Sequence, residues 1–155
     1  MIDFAQSQRQ YCTFRLAQYH CGIDVLAVRE ILRYQPMTRV PLAPPVVKGL
    51  LNLRGQIITA IDARTRLGLP PREGERKPVN IVVAAGDSGE ESLASLLVDE
   101  IGDVVSVDAA SCEPPPETAP PNLREVLVAV CKREQGLLLL FDAARLIRIS
   151  ASATA

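Results

Sequence analysis

Five carboxylates have the chemistry needed for acid–base catalysis, namely Asp62, Asp99, Glu100, Asp103 and Asp142. A pair of carboxylates whose pKa values differ can act as acid and base. The spacing favours another use, because Asp62 and Asp142 each precede a short helical pattern. A carboxylate at that position can accept hydrogen bonds from the N–H groups at the start of the helix. Asp99, Glu100 and Asp103 flank a glycine at a predicted bend between strands, which is typical of solvated turn acids. The sequence therefore predicts no acid–base site.

The motifs that usually mark an active site are missing from the sequence. It contains no G-x-x-x-x-G-K-[ST], G-x-G-x-x-G or G-x-S-x-G pattern, and its one histidine, His20, has a single cysteine beside it. The four cysteines show no C-x-x-C spacing: Cys12, Cys21, Cys112 and Cys131. The first two could face each other in a hairpin, but a reducing cytoplasm favours free buried thiols for them. We expect a non-enzymatic protein with no cofactor and no metal.

Binding is the remaining class of function, and one charged residue stands out for it. The stretch GLLNLRGQIITAIDAR, residues 49–64, places Arg54 beside Gly55 in an otherwise apolar hairpin pattern. Glycine accepts a positive φ, so Arg54-Gly55 predicts a tight turn with the arginine at its tip. A solvated turn arginine is the ordinary interpretation, and a partner-binding arginine is the functional one.

A second candidate binding feature precedes that hairpin. Val25, Val28 and Ile31, with Glu30 beside them, could line a groove between the halves of a small barrel. Any one of these aliphatic residues could equally be ordinary core. A glutamate in an apolar setting needs a partner, and a paired charge gives an interface its orientation.

Short strands must position these residues. Period-two patterns predict strands at 11–16 and 21–25 around a turn at 17–20, with a strand favoured for 26–34. The 49–61 hairpin follows, then one strand in 81–86, two in 93–107 after an acidic loop at 87–91, and two around a turn at 133–136. Asp62 predicts a short helix that ends before Gly68, and Asp142 predicts a short terminal helix.

Prolines and loops complete the predicted architecture. Pro41, Pro44 and Pro45 confine the segment before the hairpin to an edge or a turn, and CEPPPETAPP predicts an extended connection. Many short strands without long crossover helices favour antiparallel barrels over a parallel α/β sheet. The charged loop at 72–77 predicts a seam between two halves near residues 70–80.

Composition limits the partners. The chain has 155 residues, 48% of them hydrophobic, and a net charge of −1 from 17 basic and 18 acidic residues. No run of basic residues predicts binding to nucleic acid or an anionic membrane. No stretch approaches the roughly 20 apolar residues of a membrane span, and the N-terminus lacks a signal-peptide pattern. We expect a cytoplasmic protein with protein partners.

The whole pattern resembles a known family. The stretches that carry the likeness are CGIDVLAVREILRYQPMTRVPLAPPVVKGLLNLRGQIITAIDARTRLGLP and, further along the chain, LLVDEIGDVVSV, EPPP and LLLLFDAARLI. The chain is similar to the CheW family, the coupling proteins of bacterial chemosensory arrays. The resemblance covers residues 11–147 as one domain and leaves 1–10 and 148–155 as flexible tails. It implies two intertwined five-stranded SH3-like β-barrels with short helices and no catalysis. It also implies two partners, the histidine kinase CheA and the cytoplasmic tip of a chemoreceptor, and hence a location at the inner face of the membrane through receptor arrays.

The same resemblance implies site residues. Val28, Glu30, Ile31 and Arg54 match the surface associated with receptor contact, and Val104 resembles a member of the same groove from the second barrel. Val25 joins them from the groove pattern described above. Met37 and Thr38 match a stretch that resembles a contact edge for the regulatory domain of CheA.

Other functions remain open at this stage. The resemblance also extends to the regulatory domain of the kinase itself and to coupling proteins fused to receiver domains, which have the same fold. The chain length favours a free-standing adaptor. A CheW-like module of another pathway, such as pilus motility, is a further alternative. A small-ligand-binding β-barrel is the last, and it requires a closed apolar cavity.

Overall fold

The computed structural model describes residues 8–85 and 92–149, and these residues are mainly β. The strands are β1 (Gln8–Leu16), β2 (Tyr19–Asp24), β3 (Val28–Leu32), β4 (Val47–Leu53), β5 (Gln56–Asp62), β6 (Val79–Ala85), β7 (Ser92–Val98), β8 (Glu100–Asp108), β9 (Cys112–Glu113), β10 (Leu127–Arg133) and β11 (Gly136–Phe141). The α-helices are α1 (Ala63–Arg66), α2 (Pro121–Arg124) and α3 (Ala143–Ile147), and single-turn 3-10 helices cover Val25–Ala27 and Ala109–Ser111. The predicted acidic loop at 87–91 lies outside the described residues.

The strands form two sheets that share the chain in an interleaved way. One sheet has the order β8-β1-β2-β11-β10-β9 and the other has the order β3-β6-β7-β5-β4. Neighbours are antiparallel except for the parallel pairs β2 with β11 and β5 with β7. The predicted fold class, mainly β with two intertwined barrel-like halves, is confirmed, with sheets of six and five strands.

The chain passes between the sheets at two places. The first is the 3-10 helix Val25–Ala27, between β2 and β3, and the second is Asp99, between β7 and β8. The charged loop at 72–77 lies elsewhere, because β5 before it and β6 after it belong to the same five-stranded sheet. The loop was predicted to be the boundary between the two halves because it is charged. The pairing of the strands shows that it is a surface connection within one sheet.

Buried side chains form three clusters, one of which joins the two sheets. The largest cluster takes Phe14 and Ile23 from the six-stranded sheet and Ile81 and Leu96 from the five-stranded sheet, so it joins the two. A second cluster fills the six-stranded sheet. The third fills the five-stranded sheet and consists of Leu51, Ile58, Ala60, Val82 and Leu97. We call this third group the barrel cluster.

The hairpin between β4 and β5 turns at Arg54 and Gly55, as predicted. Gly55 has a φ of 86°, and Arg54 has a φ of 52°, a conformation that only a few per cent of non-glycine residues adopt. Two positive φ values in succession define the type I′ turn, which suits the twist of a two-residue hairpin. The Asn52 side chain accepts the Gly55 N–H at 2.8 Å. The turn therefore holds the backbone of Arg54 in one conformation.

Short helices begin where the sequence predicts them, with one addition. Asp62 accepts the Arg64 N–H and Asp142 accepts the Arg145 N–H, so both aspartates cap their helices. The short helix α2 was not predicted. It begins at Pro121, the last residue of the segment that was expected to be extended, and Pro121 stands in its first turn, where the missing N–H costs nothing.

The cysteines are in two states, one of which was not predicted. Cys12 and Cys21 are free and buried, as expected, but Cys112 and Cys131 form a disulfide. These two cysteines lie opposite each other on β9 and β10. The two cysteines are 19 residues apart in the sequence. Their pairing could not be predicted, because a two-residue strand next to a run of prolines has no recognisable strand pattern.

The segment that follows β3 crosses to the far edge of the same sheet. Thr38 exchanges two hydrogen bonds of 2.8 Å with Leu50 of β4, and Met37 packs on the barrel cluster. Gly49 makes this approach possible, because a Cβ there would lie 2.7 Å from the Thr38 carbonyl oxygen. Residues 37–38 therefore cover part of the β4 edge.

Replacing Gly49 by alanine is expected to push residues 37–38 away from β4. The new Cβ would meet backbone atoms, which cannot move aside as a flexible side chain does. We expect the free energy of unfolding, measured by urea denaturation, to fall by about 2 kcal/mol. The Leu50 and Thr38 amide hydrogens should also exchange faster.

Gly74→Ala is the matched control. Gly74 has a φ of 79° and open space where the alanine methyl group would lie, so its substitution should cost about 1 kcal/mol through backbone conformation alone. The Leu50 amide should stay protected in this variant. Equal protection of that amide in both variants would contradict the role assigned to Gly49.

Candidate functional site

Arg54 and Glu30 form a bidentate ion pair. Arg54 Nη1 donates to Glu30 Oε2 at 2.7 Å, and Arg54 Nη2 donates to Glu30 Oε1 at 2.5 Å. Glu30 lies on β3 and Arg54 at the end of β4, and these strands are the two edges of the five-stranded sheet. The pair therefore joins the two edges and, together with the Thr38–Leu50 bridge, closes the sheet into a barrel.

Local strand geometry aims Glu30 at this position. Glu30 is paired with Val82 of β6, so the two side chains share the face on which Val82 packs into the barrel cluster. A register shift between Val28 and Glu30 sets this orientation. Leu32, two residues further on, packs on the same cluster. Glu30 is thus a carboxylate at the margin of an apolar interior, and Arg54 is its partner.

The exposure of the pair is unequal. The Arg54 side chain is 72% exposed, whereas that of Glu30 is 26% exposed. The side-chain hydrogen bonds lower the pKa of Glu30 and raise the pKa of Arg54, so both groups stay charged through the physiological range. The arrangement presents a guanidinium to solvent in a fixed orientation.

Exposed aliphatic side chains lie on the same sheet. Ile31, on β3, is 45% exposed, and Ile57, on β5, is 64% exposed. Ile57 was missed at the level of sequence, although a signal was present. In the run Ile57-Ile58, adjacent strand residues face opposite sides, so one isoleucine must point outward. Ile58 is buried, which leaves Ile57 on the surface.

The other residues predicted for receptor contact are more scattered. Val25 lies in the 3-10 helix before β3, and Val28 is half-buried against the cluster that joins the sheets. Val104 is exposed on β8, the edge strand of the six-stranded sheet, opposite Cys12. The structure brings Glu30 and Arg54 into direct contact and places Val104 on the other sheet.

Met37 and Thr38 do not offer the free strand edge that was expected of them. Thr38 uses its own N–H and C=O on Leu50, and Met37 is half-buried. The physical reason is that this segment closes the barrel. It therefore covers the edge of β4, whereas it was expected to present a free edge of its own. The side chain of Thr38 remains exposed.

Asp99 is a second charged centre, and the prediction that it is a solvated turn acid is wrong. Its side chain is 12% exposed and accepts from Arg64 Nη2 at 2.5 Å, from Arg72 Nε at 2.8 Å and from the Ala17 N–H at 2.7 Å. Burial alone would raise the pKa of Asp99, but these hydrogen bonds outweigh it and lower the pKa. Glu100, by contrast, pairs with Arg76 at the surface.

The Asp99 centre ties four parts of the fold together. It links the passage between the sheets to the β1–β2 turn through Ala17, to α1 through Arg64 and to the following loop through Arg72. Arg64 also donates to the Pro70 carbonyl. The buried Arg72 Nη2 makes no hydrogen bond but lies 3.5 Å from Asp62 Oδ1. The charges of Arg64 and Arg72 are thus paired with carboxylates of the fold, and the centre is a structural one.

Within residues 8–85 and 92–149, the structure contains no group of three or more histidine, cysteine, aspartate or glutamate side chains that could hold a metal ion. The same part of the chain has no helix of the length and hydropathy needed to span a membrane.

Comparisons with known proteins agree with this architecture. Residues 10–151 match the CheW-like domain family. Chemotaxis protein CheW of Klebsiella aerogenes is 32% identical over 90% of this chain and 81% of its own length, and that of Bacillus subtilis is 34% identical over 79% and 76%. The crystal structure of the scaffolding protein TtCheW from Thermoanaerobacter tengcongensis has a TM-score of 0.77 at 27% identity, covering 92% of this chain and 94% of that one.

Neutralising Asp99 is expected to destabilise the fold at neutral pH. Asp99→Asn leaves two arginines without their buried carboxylate, so the free energy of unfolding at pH 7 should fall by about 3 kcal/mol. The folded-state pKa lies below the unfolded value of about 3.9, so the contribution of Asp99 is complete above that value and lost as the pH falls through the folded pKa. Urea denaturation at pH 7 and near pH 2.5 should show the difference between parent and variant shrinking in acid.

Glu100→Gln is the control for this experiment. Glu100 is partly exposed and paired with an exposed arginine, so its substitution should change stability by about 0.5 kcal/mol or less. If Asp99→Asn had the same free energy of unfolding as the parent at pH 7, Asp99 would not hold these parts of the fold together.

Proposed function

This chain belongs to the CheW-like family of chemotaxis scaffolding proteins, and from that membership we propose that it is a non-enzymatic adaptor that couples chemoreceptors to the histidine kinase CheA. It allows receptors to control the activity of the kinase. We place it in the cytoplasm, at the inner face of the membrane, where receptor arrays hold it. The partners are the cytoplasmic tip of a chemoreceptor and the regulatory domain of CheA.

The way in which Arg54 is held carries the proposal. A long arginine side chain loses conformational entropy when it binds a partner. The bidentate contact with Glu30 and the type I′ turn restrict Arg54 in advance, while most of its side chain stays exposed. An arginine restrained and exposed in this way is suited to a partner surface.

The receptor-binding face combines this charge with aliphatic contacts. We assign to it Val25, Val28, Glu30, Ile31, Arg54 and Val104, and we add Ile57. Burial of the exposed isoleucines supplies affinity, and Arg54 supplies orientation. Val25 and Val28 are half-buried. Val25 lies in the 3-10 helix that leads into β3, and Val28, the first residue of β3, packs against the cluster that joins the sheets, so the two support the surface from its base.

Met37 and Thr38 are our assignment for the contact with the CheA regulatory domain. Because Thr38 already pairs with Leu50, the kinase cannot add a strand to β4 at this point. The contact therefore uses exposed side chains such as that of Thr38, and the hydrogen bonds to Leu50 hold the segment in place for it.

Replacing Arg54 by alanine tests the receptor-binding role. The variant should melt close to the parent, because the pair is exposed on its arginine side. Its affinity for a chemoreceptor tip should fall by about tenfold or more, because a central interface arginine often carries that much binding energy. Receptor-dependent activation of CheA in a reconstituted assembly should fall with it.

Arg148→Ala, which removes an exposed arginine after α3, serves as the matched control and should behave like the parent in both assays. An Arg54→Ala protein that binds the receptor tip and activates CheA like the parent would refute the assignment of Arg54.

A further inference from the structure

We propose that Cys112 and Cys131 form a reversible redox site whose state decides whether β9 and the following prolines are held against the six-stranded sheet. The site goes beyond the adaptor function. It rests on the proposed function only for the compartment, since a cytoplasmic protein meets thiol reductants. Disulfides of cytoplasmic proteins in mesophiles are usually transient, catalytic or redox-sensing, so a bonded pair in such a protein points to a regulated state.

The two cysteines occupy opposite positions on neighbouring strands. Cys112 lies on β9, the edge strand of the six-stranded sheet, and Cys131 lies on β10. Cys131 is fully buried in the cluster that fills this sheet, together with Tyr11 and Leu138, whereas Cys112 is half-buried at the edge of that cluster. One sulfur is thus within reach of a small reagent from the protein surface and the other is shielded.

Little else holds β9 in the described structure. The strand has two residues, and its ladder with β10 consists of the pairs Cys112 with Cys131 and Glu113 with Val130. The ion pair between Lys132 and Glu113 spans 3.5 Å with both side chains about two-thirds exposed or more, so it adds little. Breaking the disulfide leaves a two-residue edge strand that is too short to be stable alone.

The strand positions the proline segment that follows it. Pro114, Pro115 and Pro116 form one wall of an apolar surface groove of about 1250 Å³, whose lining includes Leu137 and Leu139 of β11. Prolines have no N–H group and cannot rebuild a ladder with β10 once β9 is released. Reduction is therefore expected to free this wall of the groove along with β9.

The reaction is ordinary thiol–disulfide exchange. The thiolate of a low-molecular-weight thiol attacks Cys112 Sγ, forms a mixed disulfide and expels the Cys131 thiolate, which takes up a proton. A second thiol then attacks the mixed disulfide and releases Cys112 as a thiol. The balance is one protein disulfide and two small thiols giving two cysteine thiols and one small disulfide. Oxidation by a small disulfide is the reverse.

The remaining cysteines provide an internal reference. Cys12 and Cys21 are buried and free, and burial raises the pKa of both thiols, that of Cys21 to about 12. The thiolate is the reactive form, so these two should stay unmodified in the folded protein. Any change in reactive thiols is then assigned to Cys112 and Cys131.

The test is to equilibrate the purified full chain in reduced or oxidised glutathione, block free thiols after unfolding and count them by mass spectrometry. We expect two free thiols in the oxidised form and four in the reduced form. Amide hydrogen exchange of residues 112–113 and 130–131 should be about tenfold faster or more in the reduced form, because local opening no longer breaks a covalent link. The Leu50 amide, on the other sheet, should not change.

Variants separate the site from a general redox effect. The Cys112→Ala/Cys131→Ala chain should show the fast exchange in both buffers, and Cys12→Ala should keep the redox response of the parent. Four free thiols after prolonged treatment with glutathione disulfide, or equal exchange of residues 112–113 in the two forms of the parent, would overturn the proposal. Neither measurement needs a receptor or a kinase, so these results stand whether or not the adaptor function holds.

Discussion

The bidentate contact between Arg54 and Glu30 is the constraint on which the proposed binding surface depends. A five-stranded sheet has two edges, and here they are β3 and β4, which meet through this ion pair and through the hydrogen bonds of Thr38 to Leu50. The same contact that closes the barrel also restrains the arginine at the tip of the hairpin. The ion pair thus closes the barrel and also presents the Arg54 guanidinium at the surface.

Burial decides what each arginine–carboxylate group of this protein does. At Asp99 the arginines Arg64 and Arg72 are enclosed with the carboxylate, and the hydrogen bonds between them hold parts of the fold together. At Glu30 the carboxylate is partly enclosed, while Arg54 keeps most of its surface in solvent. The first arrangement ties the two sheets to their connections, and the second leaves donor surface for a partner.

Local features of the fold were predictable and long-range ones were not. The Arg54-Gly55 turn and the caps at Asp62 and Asp142 follow from residues close in sequence. The partner of Arg54 is 24 residues away, and the pairing of β9 with β10 spans a proline-rich segment, so neither the ion pair nor the disulfide could be predicted from local pattern. The family resemblance identified Glu30 and Arg54 as members of one surface, but only the folded barrel shows that they touch.

The most direct test of the role of this contact is a charge exchange, Glu30→Arg combined with Arg54→Glu, in receptor-dependent activation of CheA. The double variant can re-form the ion pair, so it should melt near the parent and above the single variant Glu30→Arg. It presents a carboxylate where the parent presents a guanidinium, and we expect it to fail to restore activation. Activation at the parental level by the double variant would contradict the claim that Arg54 faces the partner, because closure of the barrel alone would then be sufficient.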